Sequence, residues 1–136
     1  MTLVVDASAV TELVVASNLV HRAAVVDALG TDAHWIVPEH LVIEVVGALR
    51  GLWLGGHLSR SDFETAVATV SRFEFDVWPT APLVPRIVEL AANATSYDAA
   101  YLALAEELGC TLVTADAKLA RVPGIRCRVD GPPDSV

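Results

Sequence analysis

Four acidic side chains, Asp6, Glu44, Asp98 and Asp116, stand in local sequences that could present them to one site. Together they make an oxygen-only ligand set, which suits a hard cation such as Mg2+ or Mn2+ and not zinc. Gathered in one place, such carboxylates repel one another unless a cation occupies the space between them. A divalent ion held there polarises a phosphoryl oxygen and lowers the pKa of a bound water, the two requirements of phosphodiester hydrolysis. A second ion would stabilise the leaving oxygen.

Three of the four acids also have an ordinary structural reading. Asp6, in Val5-Asp6-Ala7-Ser8, and Asp116, in Thr114-Ala115-Asp116, each lie between an apolar run and a helical pattern, where Asp is a favoured N-cap. Thr95-Ser96-Tyr97-Asp98 resembles a capping box with Asp98 at the third helical position. Glu44 differs, because Leu41-Val42-Ile43-Glu44-Val45-Val46 surrounds it with apolar side chains. A buried carboxylate needs a cation or hydrogen-bond donors. His40 is the one neighbour at helical i, i+4 spacing, and the alternative places Glu44 with His40 on a narrow solvent-facing stripe.

The elements that must position these acids follow from periodicity and punctuation. Leu3-Val4-Val5 predicts a buried strand followed at once by a helix to about residue 16. A helix over His21–Leu29 stops at Gly30, and Trp35–Val37 is a second strand ended by Pro38. Apolar residues spaced by three and four predict a helix over Glu39–Trp53, closed by Gly55-Gly56, and another beginning at Ser59. Phe75–Trp78 is a third strand, and Pro82–Ala94 is helical with Pro85 in its first turn. Ser96–Leu108 is a strong helix, Thr111–Thr114 a strand, Asp116–Ala120 a short helix and Ile125–Val129 a last strand. This alternation predicts an α/β fold with a parallel sheet covered by helices on both faces. In such a sheet ligands bind beyond the carboxyl ends of the strands, where Asp6 and Asp116 would meet if their strands are adjacent.

Length and composition set the outer bounds. The 136 residues fit one domain, taken as 1–136. A hydrophobic content of 54% and a mean hydropathy of +0.51 are high for so short a chain, which predicts apolar surface that meets a partner. No uninterrupted apolar run reaches the roughly 18 residues of a membrane span, and the N-terminus has no basic leader or long apolar segment, so a cytoplasmic location is expected. Cys110 and Cys127 lack metal-knuckle spacing and read as buried free thiols, and His21, His34, His40 and His57 as structural or surface residues. A net charge of −8 argues against a polyanion partner, although Lys118, Arg121, Arg126 and Arg128 cluster near the C-terminus.

Four blocks resemble the PIN-domain nucleases, and within them VapC-like toxins of bacterial toxin-antitoxin pairs. They are Val4-Val5-Asp6-Ala7-Ser8-Ala9, Val37 to Val45, Ser96-Tyr97-Asp98-Ala99-Ala100-Tyr101-Leu102-Ala103-Leu104-Ala105, and Leu112-Val113-Thr114-Ala115-Asp116. The last two, in that order and so closely spaced, are the specific part. The resemblance implies a Rossmann-like three-layer α/β/α sandwich and an acidic site for Mg2+ or Mn2+ made by Asp6, Glu44, Asp98 and Asp116. Ser8 and Thr114 hold the small hydroxyl positions beside it, where they would orient a metal-bound water or a carboxylate, or serve only as cap and strand-end hydroxyls. It further implies an endoribonuclease acting on tRNA or ribosomal RNA, a cognate antitoxin whose segment lies in an apolar groove, and a homodimer. Leu52-Trp53-Leu54 would belong to such a partner surface, or Trp53 to the core. Two divalent ions would halve the formal charge, so that substrate phosphate meets metal first and the basic residues only as a rim.

A haloacid-dehalogenase-type phosphotransferase also carries Asp after its first strand. It requires a second acid two residues later, where this chain has Ser8, and a placed lysine, for which only Lys118 is available. A non-catalytic α/β module whose acids are all caps is the other rival, and Glu44 is the residue against it.

Overall fold

A computed structural model describes residues 1–15, 18–31 and 34–133. Five parallel strands, β1 (Thr2–Val5), β2 (His34–Pro38), β3 (Asp76–Trp78), β4 (Thr111–Val113) and β5 (Val129–Asp130), form one sheet in the order β3-β2-β1-β4-β5. The chain builds outward from β1 through β2 to β3, then returns to the other side of β1 for β4 and β5. The order therefore reverses at β1, and the crevice at its carboxyl end is where an open α/β sheet binds ligands. Leu3, Val4 and Val5 are buried as a central strand with both faces covered requires.

The helices are α1 (Ala7–Val14), α2 (Leu19–Leu29), α3 (Leu41–Leu54), α4 (Arg60–Val70), α5 (Val84–Leu90) and α6 (Ser96–Leu108). Helix α6 lies against β1, β2 and β4 with α5 outside it, while α1 packs with α2, α3 and α4. The unbroken burial of α6 from Ala99 to Ala105 explains its weakly one-sided sequence, because it is enclosed on most of its circumference. The helix ends at Gly109, whose φ of 63° is a left-handed conformation that costs glycine nothing. No single helix among the described residues is long and apolar enough to cross a membrane.

Several expected boundaries move, each for a local reason. The expected end of α1 near residue 16 lies outside the described residues. Helix α2 starts at Leu19 rather than His21, because the Asn18 side chain accepts from the N–H groups of Val20 and His21. Pro38 closes β2 from inside the strand, and α3 begins after a turn through Glu39 and His40. The helix expected over Pro82–Ala94 is a 3-10 turn, Ala81–Leu83, followed by the short α5, since Pro82 and Pro85 each remove a backbone donor. The last helix is likewise a 3-10 turn, Ala117–Arg121.

The last strand departs most: β5 is Val129–Asp130, so of the expected Ile125–Val129 only Val129 lies in the strand. Side chains take the hydrogen-bonding groups of the preceding residues. Arg86 Nη2 donates to the Gly124 carbonyl at 2.6 Å, and Glu106 Oε2 accepts from the Arg126 N–H at 2.8 Å. Arg86 Nε also donates to Glu106 Oε1 at 2.7 Å, so one ion pair braces α5, α6 and the approach to β5. Arg86→Met breaks this brace and leaves the largely buried Glu106 carboxylate without its cation. A loss of about 1–2 kcal/mol is expected, after allowance for solvent at the Arg86 end, and urea unfolding of the variant against the parent checks it.

Candidate acidic active site

Strands β1 and β4 are adjacent, with Val5 opposite Val113, and the pairing runs one residue further through a 3.1 Å hydrogen bond from the Asp6 N–H to the Val113 carbonyl. Asp6 and Thr114 thus leave the sheet side by side. Asp6 is 4% exposed, and its carboxylate is surrounded by donors. Oδ1 accepts from the Ser8 hydroxyl at 2.7 Å and from the Ala9 N–H at 2.9 Å, and Oδ2 accepts a short hydrogen bond from the Thr114 hydroxyl. Burial pushes the Asp6 carboxyl up to about 6, against the pull of Thr114, Ala9 and Ser8 and with a small addition from the Asp98 charge. The cap role is real, since Asp6 closes the start of α1, but capping alone does not require burial of the charge.

Ser8 and Thr114 orient Asp6 and also carry the next turn. Each hydroxyl gives its one proton to Asp6, so the 3.1 Å approach of Ser8 Oγ to Thr114 Oγ1 is not a third bond. Their lone pairs receive backbone donors instead, from Ala115 N to Ser8 Oγ and from Asp116 N to Thr114 Oγ1, both at 2.9 Å. This locks the loop that carries Asp116, whose Oδ1 caps the following 3-10 turn at Lys118 N, also at 2.9 Å. Gly131 closes the site from behind, because any Cβ there would stand 2.7 Å from the Thr114 carbonyl oxygen.

Asp98 and Glu44 come from α6 and α3. Thr95 is the N-cap of α6 and accepts from the Asp98 N–H at 3.1 Å. Burial raises the Asp98 carboxyl, and the charges of Asp116 and Glu44 raise it further. Glu44 is half-buried and has two partners. Tyr101 donates its hydroxyl to Glu44 Oε1 at 2.7 Å, and His40 Nε2 stands 3.2 Å from the same oxygen. That second contact is close enough for charge attraction but falls short of hydrogen-bond geometry, and Nε2 is otherwise buried without a hydrogen-bond partner. Burial pushes the Glu44 carboxyl up, but His40 and Tyr101 outweigh it and hold the group below its ordinary range. Glu44 is therefore neither deeply buried nor turned away from the site.

All four expected acids lie at one end of the sheet and several feel one another's charge, as do the two hydroxyl residues through Asp6. Among the described residues no three His, Cys, Asp or Glu side chains are drawn together as a ready-made metal cage, and no ion pair reaches Asp6, Asp98 or Asp116. This donor set fits a hydrated Mg2+ or Mn2+, which takes one or two carboxylates directly and keeps several waters, better than a cation needing an all-protein shell. Tyr101 is a site residue that the sequence does not single out. Its position three residues after Asp98 puts it on the same face of α6, which is the signal that could have found it.

Other expectations sort by distance from this end. Arg126 and Arg128 line a hollow with Cys110 and Thr111 at the start of β4, opposite to the end that carries Asp116, so they form no rim to the acids. Lys118 and Arg121 follow Asp116 directly. Cys110 and Cys127 are free thiols as expected, half-buried rather than buried, and burial raises both. Trp53 stacks on Phe63 with ring centroids 5.2 Å apart and Arg60 over its face, tying α3 to α4. Ile43 and Leu54 remain exposed on α3.

The PIN domain family matches residues 3–125. Ribonuclease VapC12 of Mycobacterium tuberculosis is 36% identical over 131 residues, covering 94% of this chain and 97% of the relative. Among solved structures, VapC20 of M. tuberculosis, described as a toxin that cleaves the sarcin-ricin loop, superposes with a TM-score of 0.65 at 16% identity, over 93% of this chain and 98% of that one. VapBC2 of Rickettsia felis, solved bound to a DNA fragment from its promoter, gives 0.61 at 11% identity, over 96% and 99%. The two structures bear out the α/β fold. With a sheet order that opens its crevice between β1 and β4, an aspartate at the end of β1 and near full-length similarity to VapC12, this chain belongs to the PIN-domain family and, within it, to the VapC group.

Proposed function

We propose that the chain is a Mg2+- or Mn2+-dependent endoribonuclease toxin that hydrolyses a phosphodiester bond in a structured RNA such as tRNA or ribosomal RNA. The observation that carries this reading is the electrostatic coupling of the acids at one end of the sheet: after burial, the charges of Asp116 and Glu44 raise Asp98, the Asp98 charge adds to the rise of Asp6, and among the described residues no Lys or Arg pairs with Asp6, Asp98 or Asp116. A divalent ion bound there supplies Lewis acidity and a water of lowered pKa. The protein supplies orientation and proton handling. Ser8 and Thr114 fix the Asp6 carboxylate in one plane, Tyr101 and His40 keep Glu44 ionised, and the Asp98 carboxylate is the group best able to accept a proton from attacking water.

Attack by water adds its oxygen to phosphorus and expels one ribose oxygen, which takes up a proton, so one fragment ends in a phosphate monoester and the other in a hydroxyl, with no 2′,3′-cyclic phosphate. Mapping the ends of RNA cut by the purified protein tests this and locates the cut. Cyclic phosphate ends, which mark attack by the RNA's own 2′-hydroxyl, would overturn the reading.

The name of VapBC2 and the apolar surface next to the acids support a cognate antitoxin as partner. A cleft of about 310 Å³ lined by Ser8, Thr11, Ala48, Leu52 and Ala115, with Glu12 and His21 also on its wall, would seat an inhibitory segment beside Ser8, which holds Asp6. A second copy of the chain accounts for the apolar surface at Val77, Val84 and Val88.

A further inference from the structure

We propose that Tyr97 is a stacking platform for the nucleobase beside the scissile phosphate, with His40 bracing it from behind. The proposal rests on the reading of the chain as a ribonuclease and adds to it a residue that positions the RNA. Among the described residues, Tyr97 is the only aromatic side chain more exposed than buried, at 59%. The middle of α6, from Ala99 to Ala105, is buried throughout, whereas Tyr97 stands in the exposed first turn. The other aromatic rings already have ring partners or lie half-buried against the core: Trp35 with Phe73 and Phe75, Trp53 with Phe63, and Trp78 on the core's edge.

The Tyr97 ring lies near the acids through His40, whose Nε2 stands 3.2 Å from Glu44 Oε1 and whose ring packs against Tyr97. The His40 ring stands 5.4 Å from the Tyr97 ring and 5.0 Å from the Tyr101 ring, whose hydroxyl holds Glu44. Three rings thus run in series from solvent to a site carboxylate, and the inner two hold the outer one. A braced aromatic face loses little side-chain freedom when a base stacks on it. Its place in the first turn of α6 puts the same base next to a helix end that favours phosphate. Single-stranded or looped RNA, whose bases are free to splay out, is the substrate form that such a platform takes.

The test compares the parent protein with Tyr97→Ala and Tyr97→Phe on a single-stranded RNA oligonucleotide that the parent cuts in Mn2+. Stacking on one aromatic ring is worth about 1–3 kcal/mol, so Tyr97→Ala raises KM about 5- to 150-fold with a smaller change in kcat. Tyr97→Phe keeps the ring face and restores most of the affinity. A set of substrates with single abasic nucleotides around the cut gives a second readout. One abasic position weakens binding to the parent by the same factor and has no effect on Tyr97→Ala. Unchanged KM in Tyr97→Ala, equal damage from Tyr97→Phe, or an abasic effect that survives in Tyr97→Ala would each overturn the platform while the nuclease reading stands. A parent protein that cuts no RNA overturns the nuclease reading and the platform with it.

Discussion

Asp98→Asn lowers the rate of Mg2+-dependent RNA cleavage by at least about a hundredfold, the scale on which a single preorganised electrostatic group contributes to catalysis. Asn conserves the volume of Asp, and the backbone N–H that joins residue 98 to the Thr95 cap is untouched. Removing one of several mutually repelling charges relieves Asp116 and Glu44 rather than stranding them, so the melting temperature of the metal-free protein stays the same or rises. Loss of activity without loss of fold separates this role from the capping role. Full activity in the variant, measured as kcat/KM on a cleavable RNA, would remove Asp98 from the site.

The metal-free protein becomes more stable as pH falls from 7 to 5, and Asp6 is the main cause. Its carboxyl is raised to about 6 from an ordinary 3.8, so the folded chain holds the proton more tightly than the unfolded one. The ionised form therefore opposes folding. Its penalty is complete above about pH 6 and is released as pH falls from there toward about 4, a change of about 3 kcal/mol at full extent. Asp98, raised by burial and then by Asp116 and Glu44, acts in the same sense. Glu44 and Glu106 lie below the ordinary glutamate value of 4.5, so their stabilising interactions are lost only at more acid pH. Urea midpoints of chelator-treated protein at pH 7, 6 and 5 should rise in that order, and Asp6→Asn should flatten the series. A midpoint that falls steadily over this range would show that Asp6 is not held as described.

Both predictions depend on residues that the sequence exposed by type and spacing. Strand-to-helix junctions at Asp6 and Asp116 were legible because an apolar run of strand length ended on an acid before a helical pattern. Their adjacency was not, because strand order follows from packing across the whole chain, and only the β1–β4 register joins them. Glu44 was legible as an anomaly, and His40 as its one local partner. The partner that donates a formed hydrogen bond, Tyr101, is 57 residues away and comes from another helix. The ends of the chain's elements were least legible where side chains compete for backbone groups. Arg86 and Glu106 shorten β5 by interactions that no periodicity encodes, and they also carry the approach to β5 away from the ladder. Arg126 and Arg128 looked like a basic rim because they are near Asp116 in sequence, whereas β4 separates them from it in space.

The most direct test of the acidic site is cleavage of an RNA pool by chelator-stripped protein during titration with Mn2+. Cleavage should be absent at the start, appear as the ion is added, vanish again with excess EDTA and fail to appear in Asp98→Asn at any Mn2+ concentration. Cleavage by the stripped protein in EDTA, at the rate seen with Mn2+, would contradict a divalent-metal site built from Asp6, Glu44, Asp98 and Asp116.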